Sequence, residues 1–451
     1  MRANKASLIS SITPELKKEE VQLHEGKKSD PLFMLKQGVW LYFLLLIFEG
    51  ALRKWVLPSL STPLLIIRDP LVAWLLVKAY QKGIFKVNGY IVLAWTIVTL
   101  SLYTTLFWGH GNAIVALYGF RIFFLQFPVI FLVAQIFDKS DVVKMGKVLL
   151  WIHIGMTLLV AVQFFSPQTA WVNRGIGGEM EGSGFTGGGG YFRVPGTFSF
   201  TNGLSSFFGF VNVFVFYFWL DDEGKIPKWL LLLASFCLLA AIPLSISRGV
   251  FFQVIVTAIF SIFATAKRPK TLFKILGAFL SGAILFYLLT MFSFFQTAMM
   301  AFTDRYTKAS EVEGGLEGTL IDRYLGGSLS ALTNDIDIGF WGAGLGMGTN
   351  AGANLLTGKS VFLISEGELG RLIGEMGILL GFIAIAMRFA LASSMFVNAW
   401  KMINHGNYLP WLLFSFCGTL VLMGTWAQPT ALGFAVFPAG LLLSSLKTEA
   451  H

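Results

Sequence analysis

The sequence predicts an all-α integral membrane protein of about twelve transmembrane helices, and three observations carry that reading. Of the 451 residues, 55% are hydrophobic and only 13% are charged, far from the averages of soluble domains. Twelve apolar stretches recur along the chain, each near the length a bilayer requires. The basic residues are also sorted: the amino-terminal tail, alternate connections and the last residues together hold 22 of the 34, and 19 of those 22 are lysine. That is the bias by which positive loops stay in the cytoplasm.

Residues 1–37 are polar and carry Lys17, Lys18, Lys27 and Lys28. They read as a cytoplasmic tail without the pattern of a cleavable signal peptide. The spans then fall at roughly 38–57, 63–80, 89–107, 112–137, 148–166, 196–219, 229–246, 249–266, 274–296, 368–390, 409–426 and 430–446. Even-numbered crossings return to Lys78/Lys82/Lys86, Lys139/Lys144/Lys147, Lys225/Lys228, Lys267/Arg268/Lys270/Lys274, Arg388/Lys401 and finally Lys447. With every such connection basic, both termini are expected in the cytoplasm, the last five residues, 447–451, included. Outside, residues 167–195 form a glycine-rich loop and residues 297–367 a much larger one. Loops of that length usually have a function of their own. Within the larger one, Thr319–Asn334 has the pattern of an amphipathic helix bearing Arg323, and Asp335–Asn354 reads as a turn-rich return.

Several functions are set aside at this stage. The net charge of +9 resides mainly in short inside loops and does not indicate nucleic-acid binding. Cys237 and Cys417 both fall within apolar spans, which suits neither a disulfide nor a metal pair. The histidines show no zinc-like spacing, so no metal and no cofactor is expected. Gly342-Ala343-Gly344-Leu345-Gly346-Met347-Gly348 is glycine-rich like a nucleotide loop, but no βαβ pattern surrounds it.

Arginine carries the chemistry. Nine of the 12 basic residues in or beyond the membrane are arginines: Arg53, Arg68, Arg121, Arg174, Arg193, Arg248, Arg305, Arg323 and Arg371. A guanidinium in that setting is costly unless it meets an anion. Arg248 follows Ser245-Ile246-Ser247 in a tight hairpin at the outer edge of span eight, either at a ligand or as a snorkelling side chain. Arg193 opens Arg193-Val194-Pro195-Gly196-Thr197-Phe198, where Pro195 is expected to start span six and its free amides to favour an anion. The alternative is a charged residue on a wet loop. Span ten places Glu368, Arg371 and Glu375 on one stripe, where they must face a polar cavity or each other. Glu366, at the mouth of that helix, could reach a substrate hydroxyl. Arg121 lies in mid-span and is either functional or neutralised by Glu49 or Asp69. The early cluster Glu49, Arg53, Lys54, Arg68 and Asp69 reads as architectural.

Taken in order, these pieces resemble the O-antigen ligase and polymerase superfamily of bacterial envelope glycosyltransferases. The matching segments are "RVPGTFSFTN" at span six, "SRG" after span seven, the large outer loop, "GFWGAGLG" near its end and "ELGRLIGEMGILLG" at span ten. The resemblance implies a GT-C-like, metal-independent transferase of the inner membrane. Its donor would be a polyprenyl-diphosphate-linked oligosaccharide, its surroundings the membrane lipids, and its partners a flippase and a chain-length regulator. Carried over by position, Arg193 and Arg248 would bind the diphosphate with Arg371 assisting, and Glu366 or Glu368 would position or deprotonate the acceptor hydroxyl. Arg121, Arg323 and Glu375 would support them. Ligases of this kind have a histidine about nine residues before the glutamate that Glu375 matches; here that position is Glu366. The difference favours a polymerase over a ligase that moves a glycan to lipid A core or protein. A lipid-linked glycan transporter and a non-catalytic assembly subunit are the rivals from other classes.

Overall fold

The computed structural model of the chain describes residues 32–220, 226–266, 268–312, 339–358, 363–365 and 367–447. The described residues are helical almost throughout, and every one of the twelve apolar stretches coincides with helix. Among the described residues, seven helices are long and apolar enough to cross a membrane, or nine when each of two bent pairs is taken as one span, and three apolar helices are shorter. The chain is an all-α protein of membrane type.

The first half opens with α1 (Phe33–Ala51), which runs on through a π-helical turn at Leu52–Val56. Wider turns of this kind re-aim side chains, and this one carries Arg53 and Lys54 into the interior, where both are buried. A bent pair follows, Pro58–Leu64 and then α2 (Arg68–Gln81). Asn88 caps α3 (Gly89–Phe107) and Asn112 caps α4 (Ala113–Arg121), each accepting from amides of the first turn. Helix α4 continues through a second π turn into α5 (Val129–Ile136).

Helix α6 (Lys139–Phe165) starts well before the expected boundary at 148. Asp138 and Asp141 form a reciprocal capping box there, and Lys36 binds Asp141 at 2.7 Å. The lysines read as an inside loop, Lys139, Lys144 and Lys147, are thus the first turns of a helix. Partial burial works against ionised Asp138, but the Ser140 hydroxyl, the Asp141 amide and nearby Lys36 outweigh it and bring its carboxyl down to about 2.

A two-residue antiparallel hairpin, β1 (Phe185–Thr186) with β2 (Phe192–Arg193), interrupts the helices. Span six also departs from expectation. Pro195 does not start a helix; Gly196 takes a left-handed φ of +59° and turns the chain, so α7 begins at Thr201 (Thr201–Leu220). Then come α8 (Lys228–Leu244), α9 (Arg248–Thr265), α10 (Pro269–Leu289) and α11 (Ser293–Val312). Span nine was expected to run to 296 and the outer loop to start at 297; α10 instead ends at Leu289, and α11 follows it at a bend of 105°.

Helix α9 is held by a polar stripe at four-residue spacing, Gln253, Thr257, Ser261 and Thr265. Gln253 Nε2 donates to Ser415 O, and the hydroxyls of Thr257 and Ser415 lie 3.2 Å apart. Hydrogen bonds between membrane helices contribute roughly 0.6 kcal/mol each, so the stripe fixes rotation more than stability. Ser415 belongs to α14 (Leu409–Met423), which packs against α15 (Pro429–Ser445). The short α12 (Asn350–Thr357) and the long α13 (Glu368–Asn404) complete the chain.

Helix α13 is not straight. Gly377 inside it has φ 77° and ψ 172°, and Glu368 nevertheless touches Arg388, which in a straight helix would stand about 30 Å away. The chain therefore doubles back at Gly377, and the arm 368–376 lies along the arm 378–404. A methyl at Gly381 would come within 2.7 Å of the Ile373 backbone, so the two arms meet closely.

Candidate functional site: a three-arginine cavity

The amino end of α7, the amino end of α9 and the carboxyl end of α14 converge on one cavity of about 780 Å³. Its lining is divided. Arg193, Arg248 and Arg305, with Asn202, Ser205, Ser206 and Ser247, form the polar part. Phe252, Ile255, Val256, Phe416, Leu420 and Met423 form the mainly apolar part, together with Gly209 and with Gln253 and Thr419 among them. On α9 this division follows from position: Arg248 stands in the first turn, and the apolar residues lie one to two turns deeper. The cavity is thus shaped for an amphiphile with an anionic head.

Local structure explains each polar contribution. Ser247 is the N-cap of α9, accepting from the Val250 amide, and its hydroxyl lies 2.7 Å from that of Ser205 on α7. Both helices direct the positive ends of their dipoles toward the cavity, which favours an anion there. Ile246, just before the cap, has φ 46°. A β-branched residue in the left-handed region is strained by roughly 1–2 kcal/mol, and strain of this kind clusters at functional sites. Arg193 arrives on β2. The hairpin tip then rests on α11: Gly189 N donates to Asp304 Oδ2 at 2.7 Å, and a methyl at Gly188 would strike Ala301 O. That contact sets Arg305, one residue on, beside the same cavity.

The sequence expectations divide accordingly. Arg193 and Arg248 are brought together. Arg371, Glu368 and Glu375 do not line the cavity. Arg371 Nη2 lies 2.8 Å from Glu368 Oε1 and its Nη1 lies 2.6 Å from Glu375 Oε2, with all three residues at most 4% exposed. Of the two possibilities for this stripe, facing a polar cavity or facing each other, the second holds. Arg388, expected among the inside basic residues, is fully buried and donates to Glu368 at 2.7 Å and to the carbonyls of Val421 and Gly424. Arg121 pairs with Asp69 at 3.0 Å and lies over the Tyr118 ring, 4.2 Å from its centroid. Glu366 and Arg323, like the stretch Thr319–Asn334, lie outside the described residues.

No family model matches the chain, and no curated protein matches it either. Site geometry has to carry the functional reading.

The "GFWGAGLG" segment serves as a cap. The amides of Ala343 and Gly344 donate to Gly374 O and Glu375 O, the open carbonyls at the end of the 368–376 arm, and Gly348 N donates to Glu375 Oε1. Thr105 and His110 of the third span hold the segment by Leu345 N and Leu345 O. The glycines are required for this approach: at Gly342 a methyl would strike the backbone at Gly377.

Sequence reasoning gave no role to two residues that matter here. Arg305 was visible only as one of nine outer arginines, because nothing in the pattern announces the bend that returns α11 to the cavity. Arg388 reads as a helix-end cation until the reversal at Gly377 is known.

Proposed function

We propose that this chain is a twelve-span polymerase of the inner membrane that joins polyprenyl-diphosphate-linked oligosaccharide repeat units into a surface polysaccharide at the outer face. One observation carries the reading: a single cavity is lined by three arginines and two helix amino ends and also by an apolar wall that includes Phe252, Ile255, Phe416 and Leu420. A diphosphate on a long isoprenoid chain has that same division. Guanidinium groups suit it further, because they can bind phosphate oxygens in pairs.

In the proposed reaction a hydroxyl of one repeat attacks the anomeric carbon of another. The glycosidic C–O bond to the diphosphate breaks, the new C–O bond forms, and the hydroxyl proton leaves to a base. Polyprenyl diphosphate departs with the bonding electron pair. Negative charge grows on its bridging oxygen, where Arg193, Arg248 and Arg305 stabilise the transition state more than the bound donor. Glu366 is the proposed base, by the sequence match alone. Glu368 is spoken for by Arg371, Arg388 and the Trp426 amide.

The ligase alternative uses the same diphosphate site and differs in acceptor. The transporter alternative has less support, since the interior charges Arg121 and Arg371 are paired with carboxylates. Purified protein in nanodiscs, given its native lipid-linked repeat unit, tests the reading. A ladder of products with release of polyprenyl diphosphate is expected. Uptake or flipping of an unchanged donor, without a ladder, would overturn it.

A further inference from the structure

The end of the first span, Glu49–Val56, has no part in the reaction above, yet it carries two cations into the interior. Lys54 is fully buried, donates from Nζ to Gly196 O at 2.6 Å and lies 4.7 Å from the centroid of the Trp55 ring. Arg53 donates from Nη1 to Ser199 Oγ at 2.8 Å and from Nε to Ser61 O at 2.7 Å. Glu49, 3.6 Å from Arg53 and 3.3 Å from Arg68, balances part of this charge.

The Lys54–Gly196 and Arg53–Ser199 contacts act on one short segment. Thr197 Oγ1 donates to Ile47 O at 2.7 Å, and Gln163 bonds both the amide and the carbonyl of Gly196. Gly50 lies so close that a methyl there would strike the backbone of Thr197. Gly196, Thr197 and Ser199 are therefore each tied to α1 or α6. Arg193 stands three residues ahead of this clamp, and the amino end of α7 begins two residues behind it. Both belong to the cavity.

Burying an ammonium group costs several kcal/mol, and well-packed apolar side chains often do as well for stability alone. A fully buried lysine aimed at one backbone carbonyl is better explained by geometry than by stability. We propose that Lys54 and Arg53 are positioning residues of the anion site, fixing Gly196–Ser199 so that Arg193 and the amino end of α7 converge on the bound anion. Neither touches the cavity, and both act through the segment they hold. The proposal rests on the cavity being a diphosphate site.

The experiment measures binding of polyprenyl diphosphate to the full chain in nanodiscs, with hydrogen exchange across residues 193–200 as a second readout. Lys54→Met is expected to bind about tenfold more weakly and to exchange faster across that segment, as loss of positioning predicts. Lys54→Arg should recover part of the affinity. Ser199→Ala deletes only the hydroxyl that Arg53 holds and should weaken binding about threefold. It decides the matter if Lys54→Met does not fold. Folded variants that bind as tightly as the parent chain would overturn the positioning role. If Arg248→Ala also leaves binding unchanged, the cavity assignment itself fails, and the purpose given to the clamp fails with it.

Discussion

Arg371 and Arg388 share one carboxylate oxygen: both reach Oε1 of Glu368, at 2.8 Å and 2.7 Å, although 17 positions separate them in sequence. The second oxygen of Glu368 accepts from Arg371 Nε and from the Trp426 amide. Two arms of one helix and the connection between α14 and α15 therefore meet on a single side chain. The arrangement is a structural joint, and it separates the arginines of this chain into those that hold the fold and those that face the cavity.

Removing one partner of that joint leaves the others charged and buried. Arg388→Met is expected to destabilise the protein by about 3–5 kcal/mol, the usual cost of breaking a buried pair. Arg371→Ala should likewise reduce the yield of folded protein. Thermal unfolding in detergent measures both. Binding of the donor by whatever Arg371→Ala protein does fold should be nearly unchanged. A selective loss of donor binding at unaltered stability would return Arg371 to the site.

The reversal at Gly377 makes a sharper structural prediction. At φ 77° any L side chain is strained, and a methyl there would also strike Phe340 O. Gly377→Ala should cost more than about 2 kcal/mol, from left-handed strain together with the clash. Gly277 on α10 is the control, since nothing lies within 4 Å of a methyl there. Gly277→Ala should be neutral or stabilising by up to about 1 kcal/mol. Equal melting temperatures for the two variants would contradict the hairpin form of α13.

Arg305 is predicted to act on substrate and not on stability. Its side chain is half-buried at the rim, and α11 is anchored independently through Asp304 and Gly189. Arg305→Ala should lower kcat/KM for the donor by about tenfold, the worth of one charge-assisted hydrogen bond, with kcat falling as well and little change in melting temperature. Steady-state kinetics on the lipid-linked repeat unit decide this.

The cap of α6 gives a pH dependence. The folded carboxyl of Asp138 titrates at about 2, below the value near 4 of an unfolded aspartate. Its stabilisation is therefore present above pH 4 and is lost as the pH falls through 2. Asp138→Ala should cost about 1 kcal/mol at pH 7, as for other N-caps. The difference between the two proteins should vanish by about pH 2. Melting curves across that range would show a constant difference if the cap were not ionised.

Helix positions were readable in outline because apolar run length marks them, and each of the twelve stretches contains helix. The grouping of Arg193 with Arg248 came from the family resemblance, which implies that both meet the diphosphate. What the sequence concealed was backbone reversal. Gly377 looks like one more glycine in a packing stripe, yet it turns the helix back and makes Glu368 and Arg388 neighbours. Pro195 looks like a helix start, but the following glycine turns the chain first. The early cations read as architectural, while the segment that Lys54 reaches, after Arg193, depends on a contact across more than 140 residues that no local pattern encodes.

The central claim is that the cavity holds the diphosphate of a lipid-linked glycan, and direct binding of polyprenyl diphosphate tests it most simply. The parent chain should bind saturably, and Arg193→Ala and Arg248→Ala should each lose about tenfold or more in affinity in protein that still folds. Binding that is absent in the parent chain, or indifferent to both arginines, would contradict the account.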